Sequence, residues 1–460
     1  MQDANHRDFG WLSIFRLGLV QTALGAVVVV STSTLNRVMV VELGLAAMVP
    51  GLLVTLHYAV QLSRPRMGYG SDLGRRHTPW IVGGMAALAA GGFGAAAATA
   101  LVAEHPWLGL AAATVAYVFI GLGVGACGTS LLALMAKRVP SKRRGAAATI
   151  VWMMMIAGFA ITATAVGKSL EPFTYAQLVK VAGIVSLAAF AVAALAMWRL
   201  EGASQADDAG EKEEKPAFRE ALAQVWAEPN SRRFTAFVFI SMLAYSGQDL
   251  VLEPFAGAVF GWTPGESTQL AGAQHGGVFA GMLLVAVLTS VFAKTRLGSL
   301  KGWVVFGCLG SALAMIGLCT AGLLALPAWP LRENVFVLGV FNGIFSIAAI
   351  ASMMALAGRG REKREGTRMG IWGAAQALAF ASGGFLGTVV VDVMQWAHGS
   401  TAVAYASVFA LEAVGFFAAQ ALASRTRFDT QTESERSVLS SAAVEPSAAP
   451  AFFEPAGGKA

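Results

Sequence analysis

The chain has 460 residues, of which 56% are hydrophobic and only 13% are charged. Soluble globular proteins carry about 25% charged residues, so this composition excludes an ordinary soluble protein. The formal net charge of +6 comes largely from basic residues in short segments between long apolar runs. Orientation in a membrane explains that distribution better than nucleic acid does, so we expect membrane lipids as partners and no nucleic acid.

Twelve apolar runs follow one another along the chain, and many reach the ~20 residues that a helix needs to cross ~30 Å of hydrocarbon. The predicted helices cover 14–41, 50–69, 79–103, 108–136, 145–168, 175–198, 234–258, 268–293, 300–326, 334–358, 368–393 and 401–423. The sequence therefore predicts an all-α membrane protein of about twelve transmembrane helices.

The connecting loops fall into two alternating sets, one basic and one nearly free of Lys and Arg. The basic loops are 64–76, 137–144, 199–233, 294–301 and 359–368, and Arg425 and Arg427 follow the last helix. Because basic loops stay on the cytoplasmic side, both termini are predicted to be cytoplasmic, in a bacterial inner membrane.

The long basic loop in the middle divides the chain into two halves of six helices. The predicted parts are a cytoplasmic N-terminus at 1–13, a bundle at 14–198, a linker at 199–233, a second bundle at 234–423 and a disordered cytoplasmic tail at 424–460. Within the linker, apolar residues recur at helical spacing over 216–227. This segment is either an amphipathic helix on the membrane surface or a soluble linker helix.

The two halves resemble each other weakly. The fourth predicted helix carries Gly121 and Gly125, and the tenth carries Gly339 and Gly343. Duplicated six-helix units leave such internal similarity, and it favours a major-facilitator architecture with two pseudo-symmetric bundles.

The loop between the second and third helices carries a motif formed by Gly68, Asp72, Gly74, Arg75 and Arg76. It resembles the cytoplasmic loop signature of the major facilitator superfamily. It is one residue shorter between the Asp and the second Gly, and it lacks the Arg that normally follows the Asp. The orientation rule alone explains the two arginines equally well.

Ionisable residues inside a membrane are costly and mark functional sites. The first and seventh predicted helices contain the candidate polar and charged pairs, which are Asn36, Arg37, Glu42, Gln248, Asp249 and Glu253. Asp249 and Glu253 are four residues apart and share one helix face. Pro254 follows them and should bend the helix.

We hypothesise that Arg37 pairs with Glu253 or Asp249 across the two halves and closes the outer side. Arg37 and Glu253 each lie about 30 Å along their helices from the cytoplasmic end, at ~1.5 Å per residue. The alternative is that Arg37 and Glu253 reach separately to the outer headgroups.

Two histidines, His57 and His275, lie inside predicted helices. A neutral imidazole can ligate the magnesium of a chlorin ring, and Gly276 and Gly277 would leave room for a flat macrocycle. A lone histidine in a membrane helix is more often a packing residue, so both interpretations stay open. We predict no protein-bound metal site and no enzymatic activity, because the sequence has no phosphate-binding loop and no catalytic or metal-like cluster.

Two segments resemble the PucC/LhaA family of major-facilitator-like proteins from phototrophic bacteria. The first consists of Arg16 to Gln21 followed by Thr34 to Leu43, and the second is Gln248 to Phe255. The resemblance covers about residues 12–423, and its shared polar residues are Asn36, Arg37, Glu42, Asp249, Glu253 and Pro254.

This resemblance implies a factor that handles bacteriochlorophyll or a precursor, bound non-covalently, and assists assembly of light-harvesting complexes. Antenna polypeptides or pigment-synthesis enzymes would be its partners. The alternative is a proton-coupled transporter of a small, mostly apolar solute, with Asp249 or Glu253 as the proton carrier. Fold alone does not decide between them.

Overall fold

The computed structural model describes residues 9–64, 67, 76–201, 226, 228–292, 299–324, 329–357 and 365–426. These residues form twelve helices, as predicted: α1 (Trp11–Glu42), α2 (Met48–Val60), α3 (Thr78–Val102), α4 (Pro106–Arg138), α5 (Ser141–Ser169), α6 (Tyr175–Met197), α7 (Pro229–Phe260), α8 (Pro264–Val291), α9 (Leu300–Leu324), α10 (Leu331–Ala357), α11 (Glu365–His398) and α12 (Thr401–Arg425). All except α2 are long and apolar enough to cross a membrane, and α2 continues as a short turn over Gln61–Ser63.

The helices form two bundles, each with its own core. Helices α1–α6 pack around one cluster of buried apolar side chains, which includes Leu88 and Tyr117. Helices α7–α12 pack around a second cluster, in which the rings of Phe255 and Phe409 meet edge to face with centroids 4.9 Å apart. The chain is therefore a multi-span membrane protein of two six-helix bundles.

Glycines at matching positions let corresponding helices touch in each bundle. A Cβ atom on Gly121 of α4 would lie 2.6 Å from the carbonyl oxygen of His57 in α2. A Cβ atom on Gly339 of α10 would lie 2.1 Å from the carbonyl oxygen of Gln274 in α8. Small residues at such crossings let backbones approach closely. The repeat predicted from Gly121 and Gly339 is thus visible in the packing.

Helix α1 is widened twice by π-helical turns, at Val30–Thr34 and Val38–Glu42, with Leu35–Arg37 between them. Such turns are rare and frequently occur at functional sites. In this helix they flank Asn36 and Arg37, which are both buried.

One end of the molecule, where α2 and α4 finish at Arg64 and Arg138, is called the basic end below. At this end Glu201 accepts hydrogen bonds from the backbone N–H groups of His77 and Thr78, at 2.6 and 2.7 Å, and so caps α3. Burial raises the pKa of the Glu201 carboxyl, but the hydrogen bonds from His77 and Thr78 outweigh burial and hold the pKa below its usual value.

Several predicted features lie outside the described residues. These are Gly68, Asp72, Gly74 and Arg75 of the loop motif, of which only Arg76 is described. Of the predicted amphipathic segment 216–227, only the exposed Trp226 is described. Most of the predicted N-terminal segment and nearly all of the predicted tail also lie outside, and α1 begins at Trp11, slightly before the predicted start.

Candidate functional site

A cavity of about 350 Å³ lies between the two bundles. Its walls come from α1, α2, α4 and α5 on one side and from α7, α8, α10 and α11 on the other. Most of the wall is apolar, with side chains such as Leu24, Met155, Val278 and Phe380. The cavity extends from Glu253 toward the basic end, where Arg64 and Met135 line it.

At the opposite end, called the Arg37 end, the buried Arg37 side chain joins the two bundles. Its Nη1 pairs with Glu42 at 2.5 Å, its Nε donates to Ser267 Oγ at 3.0 Å, and its Nη2 donates to the Trp262 carbonyl at 2.7 Å. The predicted pairing of Arg37 with Asp249 or Glu253 is therefore wrong, because the ion pair is formed within α1.

The π turn explains this difference. In a regular α-helix, residues five apart point to different faces, whereas residues three or four apart are neighbours. The π turn at Val38–Glu42 has an i→i+5 spacing, which brings Glu42 beneath Arg37. The Arg37 charge still attracts the Glu253 carboxyl through space, without a direct contact.

Two further contacts join the bundles at the Arg37 end. Asp392 at the end of α11 accepts hydrogen bonds from the backbone N–H groups of Ala47 and Met48, at 2.9 and 2.7 Å. A carboxylate at this place satisfies the free N–H groups at the start of α2 and complements the helix dipole. Thr263 donates to Glu171 at 2.5 Å. These contacts hold the two bundles together at the Arg37 end.

Asn36 and Pro254 belong to one arrangement. Pro254 lies inside α7 and has no N–H, so the carbonyl of Leu250, four residues earlier, loses its helical donor. Asn36 of α1 supplies the missing hydrogen bond through Nδ2, at 2.8 Å from the Leu250 oxygen. Asn36 and Pro254, which both belong to the family resemblance, are thus linked through the Leu250 carbonyl across the two bundles.

The two carboxylates of α7 both line the cavity and so lie on one face of the helix, which their spacing predicted. Glu253 accepts a hydrogen bond from Ser33 of α1 through Oε1, while its buried Oε2 has no partner in hydrogen-bonding geometry among the described residues. Within the part of the chain that the structure describes, Asp249 also has a buried oxygen without a hydrogen-bond partner, although the Gln274 amide lies near enough to act on it. The cavity floor therefore holds carboxyl groups with spare hydrogen-bonding capacity.

Sequence reasoning missed a third buried carboxyl group in the second bundle, Glu412 of α12. Both of its oxygens are buried and have no hydrogen-bond partner in the described ranges, and Oε1 lies against Gly247 of α7. Asp249 is close enough to act on it electrostatically. Gln248 beside them is fully buried, and neither the oxygen nor the nitrogen of its amide has a hydrogen-bond partner among the residues that are described. Glu412 interrupts an apolar run, which is the same signal that identified Asp249.

The two cavity histidines differ in their hydrogen bonds. Gln61 accepts from Arg64 through its oxygen, so its Nε2 donates to His57 Nε2, at 2.8 Å. His275 Nδ1 is 2.9 Å from the carbonyl of Ala271. The expected space beside Gly277 is absent, because this residue packs against the Phe336 carbonyl of α10.

Comparison with known sequences gives a consistent family. The model of the PUCC protein family matches residues 34–429. The "Bacteriochlorophyll synthase 44.5 kDa chain" of Rhodobacter capsulatus is 50% identical over 414 residues, which cover 90% of this chain and 95% of that relative. "Protein PucC" of Cereibacter sphaeroides is 29% identical over 421 residues, covering 87% and 88%.

Solved structures share the fold at low sequence identity. A D-xylose-proton symporter superposes with a TM-score of 0.66 and 16% identity, covering 88% of this chain and 97% of its own. A bacterial homolog of the human lysosomal transporter Spinster, inward-facing and unoccupied, gives a TM-score of 0.62 and 18% identity, covering 90% and 96%. At these identities the likeness establishes the transporter-type fold alone.

Proposed function

The chain belongs to the PUCC protein family, and from this premise we propose that it is a membrane factor that handles bacteriochlorophyll and assists assembly of light-harvesting complexes. The observation that carries the proposal is the cavity between the bundles, whose wall is mostly apolar and extends to the basic end. A chlorin is a flat, largely apolar ring, which suits such a wall. Both termini would be cytoplasmic, as the basic loops predict.

The first experiment asks whether the cavity holds pigment. The full chain is purified in mild detergent from phototrophic membranes, and near-infrared absorbance is measured per mole of protein. Gly128 lines the cavity and a Cβ atom there would meet nothing within 4 Å, so Gly128→Trp should fill the cavity and lower the bound pigment severalfold.

The matched control is Gly83→Trp, which adds the same bulk at an exposed glycine that does not line the cavity. It should keep the pigment content of the unmodified chain. An unmodified chain that carries no pigment would overturn the proposal. Equal loss of pigment in the two variants would also overturn it. A deletion strain should also lose antenna absorbance and regain it with the unmodified gene.

One relative is named as a chain of bacteriochlorophyll synthase. We propose that the present chain carries out no covalent chemistry itself, which the family and the transporter-type fold support. Purified protein incubated with pigment precursors should return them unchanged in mass spectra. A new pigment formed by the isolated chain would contradict this.

A second candidate function is proton-coupled transport of a small, mostly apolar solute. The specific observation in its favour is the buried oxygen of Asp249, which lines the cavity without a hydrogen-bond partner. Buried carboxyl groups in membrane helices are typical of proton relays. Solute-dependent proton uptake into vesicles containing the chain, lost in Asp249→Asn, would favour transport over pigment handling.

A further inference from the structure

His275 occupies a place in the cavity wall that suits a metal ligand. It lies in α8, lines the cavity, and is only 8% exposed. The ring of Phe159, from the other bundle, meets it edge to face with centroids 4.9 Å apart. The imidazole is therefore held in one orientation from both sides of the cavity.

The hydrogen bond of His275 fixes which ring nitrogen is free. A backbone carbonyl only accepts hydrogen bonds, so Nδ1 carries the hydrogen that is donated to Ala271, at 2.9 Å. In the neutral ring Nε2 then keeps its lone pair. Nε2 has no hydrogen-bond partner among the described residues. Histidines that ligate metals hold their other nitrogen in this way.

His57 shows the opposite arrangement. Its Nε2 lone pair already accepts from Gln61, whose orientation is fixed by Arg64. A donor to a metal needs a free lone pair, so His57 is not available in this structure. The two histidines that the sequence could not separate are thus distinguished by their neighbours.

We propose that Nε2 of His275 is the axial ligand for the metal of a chlorin in the cavity, so that the cavity selects metallated over metal-free pigment. This inference rests on the proposed pigment-handling function. The metal of a chlorin is bound by four ring nitrogens and accepts a further ligand from one face of the ring. The metal-free ring has two N–H groups in its place and accepts no axial ligand. A neutral imidazole is the commonest protein ligand for metals.

The test is equilibrium binding of two probes to the purified full chain in detergent, bacteriochlorophyll a and its demetallated form. Loss of groups that merely orient a ligand costs about 10–100-fold in metal affinity, so the ligand itself should give a preference of at least about tenfold. His275→Leu should bind the magnesium form that much more weakly and should bind the demetallated form as before.

The matched control is His57→Leu, which removes the other cavity histidine and should keep the preference. Resonance Raman spectra of the unmodified complex should show an axially ligated magnesium, and this measurement needs no variant. In His275→Gly, added imidazole should restore binding of the magnesium form.

Two outcomes separate this inference from the proposed function. Equal binding of both probes to the unmodified chain, or a preference that disappears with His57 instead, would overturn the assignment of His275 and leave pigment handling intact. Binding of neither probe would overturn both.

Discussion

The arrangement of Asn36, Leu250 and Pro254 predicts an energetic coupling between two substitutions in different bundles. Asn36→Leu keeps the branched shape of a fully buried side chain but removes the donor to the Leu250 carbonyl. A buried carbonyl without a partner costs about 1–3 kcal/mol. Oδ1 of Asn36 is itself buried without a partner, so its removal offsets part of this cost. We expect a net loss of about 1–2 kcal/mol.

The second substitution, Pro254→Ala, returns an N–H group to α7 four residues after Leu250. That N–H can donate to the Leu250 carbonyl as in any helix. In this background Asn36→Leu should cost under about 0.5 kcal/mol, which gives a coupling energy of about 0.5–2 kcal/mol.

The four proteins are unfolded with a denaturing detergent in mixed micelles, and tryptophan fluorescence follows the folded fraction. The matched control is Asn334→Leu, which removes a 3.0 Å hydrogen bond to the Ala314 carbonyl. No proline lies four residues after Ala314, so this variant should cost the same with Pro254 or Ala at that position. If Asn36→Leu also costs the same in both backgrounds, the explanation of the Asn36–Pro254 pair is wrong.

Three further predictions concern the packing at Gly277, the buried Glu412 and the capping carboxylate of Glu201. Gly277→Ala places a Cβ atom 2.2 Å from the Phe336 carbonyl oxygen and should lower the free energy of unfolding in detergent by about 1–3 kcal/mol. The matched control is Gly276→Ala, whose Cβ atom would meet nothing within 4 Å and should leave the free energy of unfolding unchanged. Glu412→Met should stabilise the fold by about 1 kcal/mol, because it replaces two buried oxygens that have no partner among the described residues with an apolar side chain of similar length. A loss of stability would contradict this reasoning. The pKa of the Glu201 carboxyl is lower in the folded state than in the unfolded chain, so this carboxylate stabilises the fold at pH values above its unfolded-state pKa. That stability is lost as the pH falls through the folded-state pKa. The melting temperature of Glu201→Gln should therefore depend less on pH in the acid range than that of the unmodified chain.

The helices could be predicted from the sequence because lipid leaves the backbone few choices. A spanning segment must satisfy every N–H and C=O internally, so an apolar run of sufficient length becomes a helix. The same constraint explains why predicted and observed helices agree in number and place. The glycine pairs at Gly121 and Gly339 were also visible, since their spacing repeats between the halves.

The partners inside the site could not be predicted, because they depend on the register between helices that are far apart in sequence. Depth along the helix placed Arg37 and Glu253 at one level, but it gave no information about the π turn that redirects Arg37 to Glu42. Asn36 and Pro254 were both noted without any sign that Leu250 joins them. Glu412 is a different case, because an ionisable residue in an apolar run was a sufficient signal.

The spacing of contacts between α1 and α7 connects the cavity to the Arg37 end. Ser33 and Arg37 are four residues apart in α1, and Glu253 and Gly257 are four apart in α7. Ser33 donates to Glu253 at the cavity, and the Arg37 guanidinium lies against Gly257 about one turn away. Since four residues of helix span about 6 Å, the two contacts lie about one turn apart along the same pair of helices. Glu253, which lines the cavity, and Arg37, which joins the bundles at its own end, therefore belong to one continuous interface between α1 and α7.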